Sequence, residues 1–357
     1  MSSPGFHPVA FMLAPGARGP EARISVFMSA QIESLCNRGW QPYVGILDDR
    51  TSPVGVVRGV LRLRSEMRTS QAVLVHALYG SVTALVGDLI KSGKPLVISF
   101  CGDDLLGTPV DGWRWRLREA GARWLGLFAG LFATCVIVKS DNLRAALPEA
   151  LKQRAVILPN GVDVNHFRPR SQENCRRELG WSLDDPIVLF NASVGSNTAV
   201  KNPELARRTV ELVRRTHGQV RLRTLSGFSA DEVALALNAA DCLLVTSIHE
   251  GSPNIVKEAM ASGLPVVSVP CGDVAERLRN VSPGGICPYN ADALARAIVQ
   301  VIRDGKRSNG PDAIRAQELT LDDVARRLSG LYAAILERRN ASVISPRVQG
   351  VAVERTR

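Results

Sequence analysis

Two acidic side chains, Glu250 and Glu258, stand eight positions apart in the segment SIHEGSPNIVKEAMASGLPVV. A carboxylate accepts hydrogen bonds, and the vicinal hydroxyls of a sugar or a ribose suit a pair of carboxylates. A phosphate in the same place requires a cation, and Lys201 is the candidate, because it follows one apolar run and precedes a helix predicted near Asn202-Pro203. Each residue alone is typical of a solvated loop or helix face, but their convergence predicts a site for hydroxyls and phosphate.

The segment between the two acids carries the start of a helix. Ser252 is predicted to be its N-cap and Pro253 its first residue, and the helix is expected to run to about Ser262 before a glycine and a proline end it. The backbone N–H groups of Asn254, Ile255 and their neighbours have no acceptor within that first turn. Such a helix start binds anions, and phosphate is the expected anion.

Apolar runs rich in Val, Ile and Leu alternate with helix-like segments along the whole chain. Uninterrupted apolar runs suit strands that are covered on both faces, so the pattern predicts parallel sheets with crossover helices. The expected fold class is α/β, with two Rossmann-like doubly wound domains facing each other across a cleft. The predicted strands are Val9–Leu13, Tyr43–Leu47, Ala72–Ala77, Pro95–Phe100, Cys135–Ser140, Pro186–Ser193, Val220–Leu225, Asp241–Ser247 and Pro265–Val269.

The apolar periodicity stops at Pro159–Cys175, where Pro, Gly, Asn and charged residues accumulate. The sequence therefore predicts a first domain over residues 1–165 and a second over 166–320. A helix at 321–340 is expected to pack back toward the first domain, and residues 341–357 are expected to form a mobile tail.

The composition indicates the kind of partner and the location. With 44 Lys and Arg against 34 Asp and Glu, the net charge is +10, which favours anionic partners such as nucleotide phosphates, acidic lipid surfaces or nucleic acid, and charge alone does not choose among them. The seven cysteines are scattered and form no C-x-x-C pair, so the pattern indicates a reducing cytoplasm rather than a zinc site or a disulfide framework. We find no signal-peptide pattern, and the two uncharged runs are either too polar or too short to span a membrane. The aspartate doublets are always adjacent, so no D-x-D metal clamp is indicated.

The segment EGSPNIVKEAMASGLPVV resembles the donor site of the GT-B retaining glycosyltransferases of family 4, the glycosyl transferases group 1, which carry a pair of glutamates separated by seven residues. LPNGVDVNHFRP is similar to the inter-domain segment of that family, and ALNAADCLLVTS to the strand that leads into its site. The specific likeness covers most of Leu158–Glu276. It implies a first domain that binds the acceptor and a second that binds the donor.

The resemblance also implies roles for the site residues. Glu258 would bind the ribose, Glu250 and the backbone of Asn254 and Ile255 would bind the transferred sugar and phosphates, and Lys201 would bind the diphosphate. Ser196 stands where the family usually has an arginine. The implied donor-binding set is Lys201, Glu250, Gly251, Ser252, Pro253, Asn254, Ile255 and Glu258, with Glu250 and Lys201 as the catalytic candidates.

The function implied is transfer of a sugar, with retention, from a nucleotide-diphosphate sugar to a hydroxyl of a sugar or lipid-linked acceptor, in the synthesis of cell-surface polysaccharide or glycolipid. UDP- or GDP-linked sugars are the expected co-substrates, with no further cofactor and no metal. The expected location is the cytoplasm or the inner face of a membrane. Two alternatives stay open: a nucleotide-sugar epimerase, and a non-catalytic nucleotide-sugar-binding protein of the same fold.

The acceptor side offers two segments and one histidine. Cys101, in ISFCGDDLLGT, stands where the family commonly has histidine, and a thiol cannot replace an imidazole as a donor. His76 is then either the acceptor-side imidazole or a buried residue at a strand end, and Asp103 or Asp104 is either a helix cap or a ligand for acceptor hydroxyls. The acceptor-side candidates are Gly16 and Gly19 in APGARGP, His76, Cys101, Gly102 and Asp103.

The stretch GWRWRLREAGARWLGLF interleaves three tryptophans with four arginines. On a helix, its large apolar residues form one face, which either packs on the sheet or lies in the plane of an anionic membrane at Trp113–Trp124. We expect no nucleic-acid partner, since no reader motif accompanies the charge. The members of the predicted face are Trp113, Leu117, Ala120, Trp124 and Leu127.

Overall fold

The computed structural model describes residues 8–16, 24–107, 112–192 and 199–344, and the chain forms two parallel sheets. The first sheet has six strands in the order β2-β1-β3-β4-β5-β6. Its strands are β1 (Val9–Pro15), β2 (Gln41–Leu47), β3 (Leu74–Ala77), β4 (Leu96–Phe100), β5 (Cys135–Val138) and β6 (Ala155–Ile157). Its helices are α1 (Val26–Cys36), α2 (Pro53–Thr69), α3 (Ser81–Ile90), α4 (Asp103–Leu106), α5 (Trp113–Leu131), α6 (Asp141–Ala145) and α7 (Glu149–Lys152).

The second sheet has five strands in the order β11-β10-β9-β7-β8. Its strands are β7 (Ile187–Asn191), β8 (Arg221–Leu225), β9 (Cys242–Val245), β10 (Val266–Ser268) and β11 (Gly284–Ile286). Its helices are α8 (Gln172–Glu178), α9 (Pro203–His217), α10 (Ala230–Ala239), α11 (Asn254–Ala261), α12 (Val274–Arg277), α13 (Ala291–Asp304) and α14 (Gly310–Ala316). A last helix, α15 (Leu321–Ile344), follows.

The central strands of both sheets are buried on their two faces, as the apolar runs predict, while the edge strands β2 and β8 are partly exposed. Along β1, Phe11 and Leu13 lie in one apolar core, while Ala10 and Met12 lie in the core on the other side. Successive side chains of a strand point to opposite faces, so a strand covered by helices on both sides must be apolar throughout. The nine predicted strands and the α/β two-domain class are confirmed.

Two strands were not predicted, β6 and β11, each only three residues long and each at a sheet edge. β11 reads Gly-Gly-Ile and carries no apolar run, whereas β6 reads Ala-Val-Ile, a short apolar run that the prediction overlooked. Along the chain, the last strand of the first sheet ends at Ile157 and the first strand of the second sheet begins at Ile187. The domain boundaries at residues 165 and 166 stay predictions.

The order of the strands determines where a ligand can bind. In the first sheet the chain reverses its direction of winding between β1 and β3, and in the second between β7 and β9. Loops on either side of such a switch point diverge and leave a crevice at the carboxyl ends of the strands. The loops that follow β4, β7 and β9 line one cavity, so the carboxyl edges of the two sheets face each other across a cleft.

The last helix completes the first domain. Val324, Leu328 and Tyr332 of α15 are buried in the same core as Met12 of β1. The phenol of Tyr332 lies 2.5 Å from His76 Nδ1, and His76 Nε2 lies 2.8 Å from Ser99 Oγ. Helix α15 therefore contacts the first sheet although it follows the second in sequence. Residues 345–357, most of the predicted tail, lie outside the described residues.

No described helix combines the length and the apolarity that a crossing of the lipid bilayer requires.

We predict that Tyr332→Phe destabilises the protein by about 1–3 kcal/mol, because the buried His76 nitrogen loses its partner and no water can replace it. Urea denaturation measures the free energy of unfolding. The control is Tyr43→Phe, since Tyr43 is a partly exposed tyrosine that stacks on Phe11. Equal stability of the two variants would show that α15 does not depend on this bond.

Candidate functional site

The loop after β9 brings the first glutamate to a cation. Glu250 Oε1 lies 2.5 Å from Lys201 Nζ, and both side chains are largely shielded from water. Lys201 stands just before α9, and its carbonyl oxygen accepts a hydrogen bond from Thr246 Oγ1 at 2.7 Å, which ties the two loops together. Asn202 has a left-handed backbone and caps α9, so the helix start predicted at Asn202-Pro203 is confirmed. The structure thus joins the two catalytic candidates in one ion pair.

Helix α11 begins one residue later than predicted and lacks the expected side-chain cap. Pro253 occupies the N-cap position, and the hydroxyl oxygen of Ser252 accepts a hydrogen bond from Lys257 Nζ at 3.0 Å instead. Lys257 is buried, and a buried ammonium without a hydrogen-bond acceptor costs more free energy than a helix start without a side-chain cap. The prediction of Ser252 as N-cap was wrong. The helix still ends before Gly263, which has the positive φ of an αL cap.

Glu258 lies in the first turns of α11, and its partly buried side chain lines the cleft. Burial raises the pKa of its carboxyl to about 7, an increase that Lys257 and His166 reduce. The group is therefore only partly ionised at neutral pH. A ligand hydroxyl that donates a hydrogen bond to this carboxylate would compensate for the lost hydration.

One cavity of about 520 Å³ between the sheets collects most of the predicted residues. Glu250 and Glu258 face the same space as Cys101 and Asp103, which follow β4 of the first sheet. Gly251 touches the opposite sheet instead, beside the carbonyl of Cys101. The predicted residues that line the cavity are Cys101, Asp103, Lys201, Glu250, Ser252, Pro253, Asn254, Ile255 and Glu258.

Sequence reasoning missed several cavity residues. Ser226, Gly227 and Phe228 follow β8, and the rule that ligands gather at the carboxyl ends of strands could have indicated them. Phe27 and Tyr79 line the cavity from the first domain, and no local pattern marks either one. Tyr79 comes directly after the LVHAL run, so its position at a strand end was the one sequence feature that could have indicated a ligand contact.

His76 is not an acceptor-side residue. Its side chain is fully buried between Ser99 and Tyr332, and burial lowers the pKa of its imidazole to about 3. The ring is therefore neutral and cannot reach the cleft. Of the two interpretations of His76, acceptor-side imidazole or buried residue at a strand end, the structure supports the second.

Asp103 and Asp104 have different roles. Asp104 is buried and accepts backbone hydrogen bonds from Gly80, Cys101 and Gly102, at 2.7 to 3.1 Å. It therefore fixes the loop that carries Cys101, while Asp103 faces the cleft.

The other acceptor-side candidates lie near the cleft or outside the description. Burial raises the pKa of the Cys101 thiol to about 12, so it faces the cleft as a neutral thiol. Gly102 has φ of +152°, and a Cβ atom at this position would lie 3.7 Å from the Gly251 nitrogen. Gly16 donates its N–H to the Leu47 carbonyl oxygen at 2.9 Å and is not among the residues that line the cleft cavity. Gly19 and Ser196 lie outside the described residues.

Within the described ranges no group of three or more His, Cys, Asp or Glu side chains could hold a metal ion. The described residues that line the cleft offer hydrogen bonding by carboxylates, amide side chains and the first turn of α11, together with the ammonium of Lys201. This set suits a polyhydroxylated molecule with phosphate groups.

Known proteins resemble the chain in sequence and in fold. Residues 192–304 match the family described as Glycosyl transferases group 1. A D-inositol 3-phosphate glycosyltransferase of Nocardia farcinica is 27% identical over 192 residues, or 42% of this chain and 42% of that protein. The chain therefore matches less than half the length of that curated relative.

Two solved structures share the architecture across nearly the whole chain. Sucrose-phosphate synthase from Thermosynechococcus elongatus superposes with a TM-score of 0.72 at 18% identity, covering 93% of this chain and 100% of that one. Anabaena HepE in complex with UDP-glucose gives 0.69 at 17% identity, covering 92% and 100%. At such identities the likeness establishes the fold.

We predict that Glu258→Gln raises the free energy of unfolding relative to wild type at pH 8 more than at pH 5. A raised carboxyl pKa means that the folded protein holds the proton while the unfolded chain has lost it, so wild-type stability falls between about pH 4.5 and 7. The difference should reach about 2–3 kcal/mol, less where water reaches the carboxylate. Denaturation curves at both pH values measure it.

Glu173→Gln is the control, since Glu173 is an exposed glutamate on α8. Wild type and Glu258→Gln with parallel stability curves across this pH range would contradict the assignment.

Proposed function

Because this chain has the GT-B fold and its residues 192–304 belong to the glycosyl transferases group 1, we propose that it transfers a sugar from a nucleoside-diphosphate donor to an acceptor hydroxyl. The observation that carries the proposal is the convergence of Glu258, the Lys201–Glu250 pair and the first turn of α11 on one cavity between the sheets. The D-inositol 3-phosphate glycosyltransferase named above is a relative by sequence, and the Anabaena HepE structure, which shares the fold, was solved with UDP-glucose.

In this proposal Glu258 accepts hydrogen bonds from the two ribose hydroxyls. The N–H groups at the start of α11 and the ammonium of Lys201 bind the diphosphate. Glu250 then has two partners, Lys201 and a hydroxyl of the transferred sugar. The ion pair holds Lys201 in position before the donor binds, so little reorganisation accompanies binding.

The reaction breaks the bond between the anomeric carbon and the phosphate oxygen, and the electron pair stays on the diphosphate. Lys201 and the α11 N–H groups stabilise that charge, and the sugar acquires oxocarbenium character. The acceptor oxygen bonds to the anomeric carbon, and its proton passes to the leaving diphosphate. We propose retention of configuration and no metal requirement, which proton NMR of the product and activity in EDTA test.

The nature of the donor can be tested first. A thermal-shift panel of UDP-, GDP- and ADP-sugars identifies the nucleotide, because a ligand that binds only the folded state raises its stability. Incubation of the donor without acceptor then separates the candidates. Slow release of nucleoside diphosphate supports a transferase, interconversion of the sugar supports an epimerase, and binding without turnover supports a non-catalytic protein.

We predict that Glu258→Ala weakens binding of the donor nucleotide about 100-fold, because two hydrogen bonds to a charged group are lost. Calorimetric titration with the nucleotide from the panel measures the affinity, and the release of nucleoside diphosphate measures the rate. Glu173→Ala, on the exposed surface of α8, serves as the control. An unchanged affinity and rate in Glu258→Ala would refute the site.

We further propose that the protein works at the cytoplasmic face of an anionic membrane, in polysaccharide or glycolipid synthesis. The support lies in α5, where Trp113, Leu117 and Trp124 are 68%, 63% and 70% exposed. Of the two alternatives for this face, packing on the sheet holds only for Leu127, since the other large side chains of the predicted face are exposed. Interfaces between membrane and water favour tryptophan beside arginine.

The neighbouring helices extend this surface. Helix α2 packs on α3, and α3 packs on α5. α2 exposes Val54, Val57 and Leu61 together with a row of arginines, and its Glu66 is paired with Arg62. The charge of this face therefore complements an anionic bilayer. The seven cysteines are unpaired thiols, which supports the cytoplasmic location.

We predict that the double variant Trp113→Ala/Trp124→Ala binds vesicles of phosphatidylcholine with phosphatidylglycerol at least about tenfold more weakly than wild type, because the apolar anchors are lost. Co-sedimentation measures the binding, which should also weaken in high salt. Leu183→Ala removes an exposed leucine of the second domain and should bind normally. Equal binding by all three proteins, or a wild-type dimer that the double variant abolishes, would refute the membrane surface.

A further inference from the structure

The first domain makes a direct bond to the loop that carries Glu250. Asn142, in helix α6, donates a hydrogen bond from its Nδ2 to the backbone carbonyl oxygen of Glu250 at 2.9 Å. Because α6 follows β5 and Glu250 follows β9, this bond joins the two domains beside the cleft. We propose that Asn142 is a positioning residue, which holds Glu250 from the opposite domain and makes cleavage of the donor depend on a closed cleft. The proposal rests on the transferase function above.

Hydrogen-bond chemistry fixes the orientation of the Asn142 amide. A backbone carbonyl can only accept, so the amide must direct an N–H group toward Glu250. The Oδ1 atom of Asn142 accepts a hydrogen bond from Ser140 Oγ at 2.5 Å. Ser140 is buried and lies two residues after the end of β5, so the amide is anchored to a strand of the core. Asn142 is therefore oriented before the donor binds, and little entropy is lost in using it.

The next carbonyl group of the loop is held from its own domain. The carbonyl oxygen of Gly251 accepts a hydrogen bond from the backbone N–H of Asp273 at 3.1 Å. Two successive carbonyl groups thus have partners in different domains. The carbonyl of Glu250 lies in the planar peptide unit that joins it to Gly251, so a partner for its oxygen restricts the rotation of that plane. Asn142 therefore orients the backbone from which the Glu250 side chain extends.

The two partners of Glu250 respond differently when the cleft opens. Its carboxylate pairs with Lys201, and both residues belong to the second domain, so this ion pair moves with that domain. The bond from Asn142 crosses between the domains, and it is lost once the two atoms are more than about 3.5 Å apart. Opening therefore leaves Glu250 paired with Lys201 but removes the bond that orients its backbone.

The exposure of Asn142 suits a bond that forms and breaks in each catalytic cycle. Asn142 is exposed, in contrast to the buried Asp104 and Lys257. Water can therefore replace either partner of the Asn142 bond when the domains separate, and the net free energy of such a bond is small. A fully buried pair would be left without partners on opening, at a much larger cost. The bond from Asn142 thus favours the closed cleft without locking it.

Binding and cleavage of the donor then make different demands on the protein. Lys201, Glu258 and the N–H groups of α11 all belong to the second domain, so the nucleotide can bind without Asn142. Cleavage requires Glu250 to be aligned with the transferred sugar and requires water to be excluded from the cleft. Because the first domain supplies the partner of the Glu250 carbonyl, that alignment is reached only on closure. A donor bound in the open cleft is thereby protected from hydrolysis.

The test uses the full chain and the nucleotide sugar identified by the thermal-shift panel, without an acceptor. Asn142→Ala should release nucleoside diphosphate about tenfold more slowly than wild type, because a hydrogen bond that orients Glu250 is lost. Calorimetry should show that its affinity for the nucleoside diphosphate changes by less than about twofold. A defect in folding would lower the rate and the affinity together, so this difference between them identifies a positioning role.

Two further substitutions separate the hydrogen bond from the shape of the side chain. Asn142→Asp keeps the shape but places an acceptor opposite the Glu250 carbonyl, so it should be at least as slow as Asn142→Ala. Asn142→Gln keeps the amide donor and should be at least about threefold faster than Asn142→Asp. Asn174→Ala is the matched control, because Asn174 is an exposed asparagine on α8, and its rate should equal that of wild type. Thermal unfolding shows that each variant is folded.

Equal rates of release by wild type and Asn142→Ala overturn the proposal, and so does a nucleotide affinity that falls as far as the rate. Asn142→Gln that is as slow as Asn142→Asp overturns it as well, because the amide donor would then have no effect. A failure of the transferase function looks different: wild type itself would bind no nucleotide sugar or release no nucleoside diphosphate, and both proposals would be refuted.

Discussion

The close approach of Gly251 to the backbone of Cys101 sets the geometry of the whole cleft. A Cβ atom at position 251 would lie 2.7 Å from the Cys101 carbonyl oxygen and 2.9 Å from a methyl of Leu143, so any side chain there would separate the sheets. Beside it, Asn142 Nδ2 donates to the Glu250 carbonyl oxygen at 2.9 Å. These contacts hold the two carboxyl edges together and place Glu250 opposite the first domain.

Buried polar groups make hydrogen bonds to the loops at this contact. On one side Asp104 accepts backbone hydrogen bonds from the Cys101 loop. On the other, the buried ammonium of Lys257 donates to Ser252, and burial lowers its pKa to about 8. Buried charges of this kind are costly unless every hydrogen bond is made. Here they orient the groups that face the ligand, so that binding requires little rearrangement.

Close approach at glycine residues also determines how helix α5 packs, here against α3. Its inner face carries Gly126 and Gly130, and a Cβ at Gly126 would lie 2.3 Å from the Ser81 nitrogen at the start of α3. The space between the helices admits only small residues, so the tryptophans lie on the outer face. Two arginines of α5, Arg118 and Arg123, line a cavity of about 260 Å³ beside that face. This packing constraint therefore leaves the tryptophans of α5 on the exposed face that we propose contacts a membrane.

The sequence by itself determined the two parallel sheets, the Lys201–Glu250–Glu258 set and the helix start between the glutamates. Those features depend on local patterns: apolar runs, a proline, a glycine and the spacing of a few charges. Only the tertiary structure decided that His76 is buried beside Tyr332, that Ser252 accepts a hydrogen bond from Lys257, and that the apolar face of α5 is exposed to solvent. Each of these depends on a partner distant in sequence or on the space between two elements, and no local pattern records either quantity.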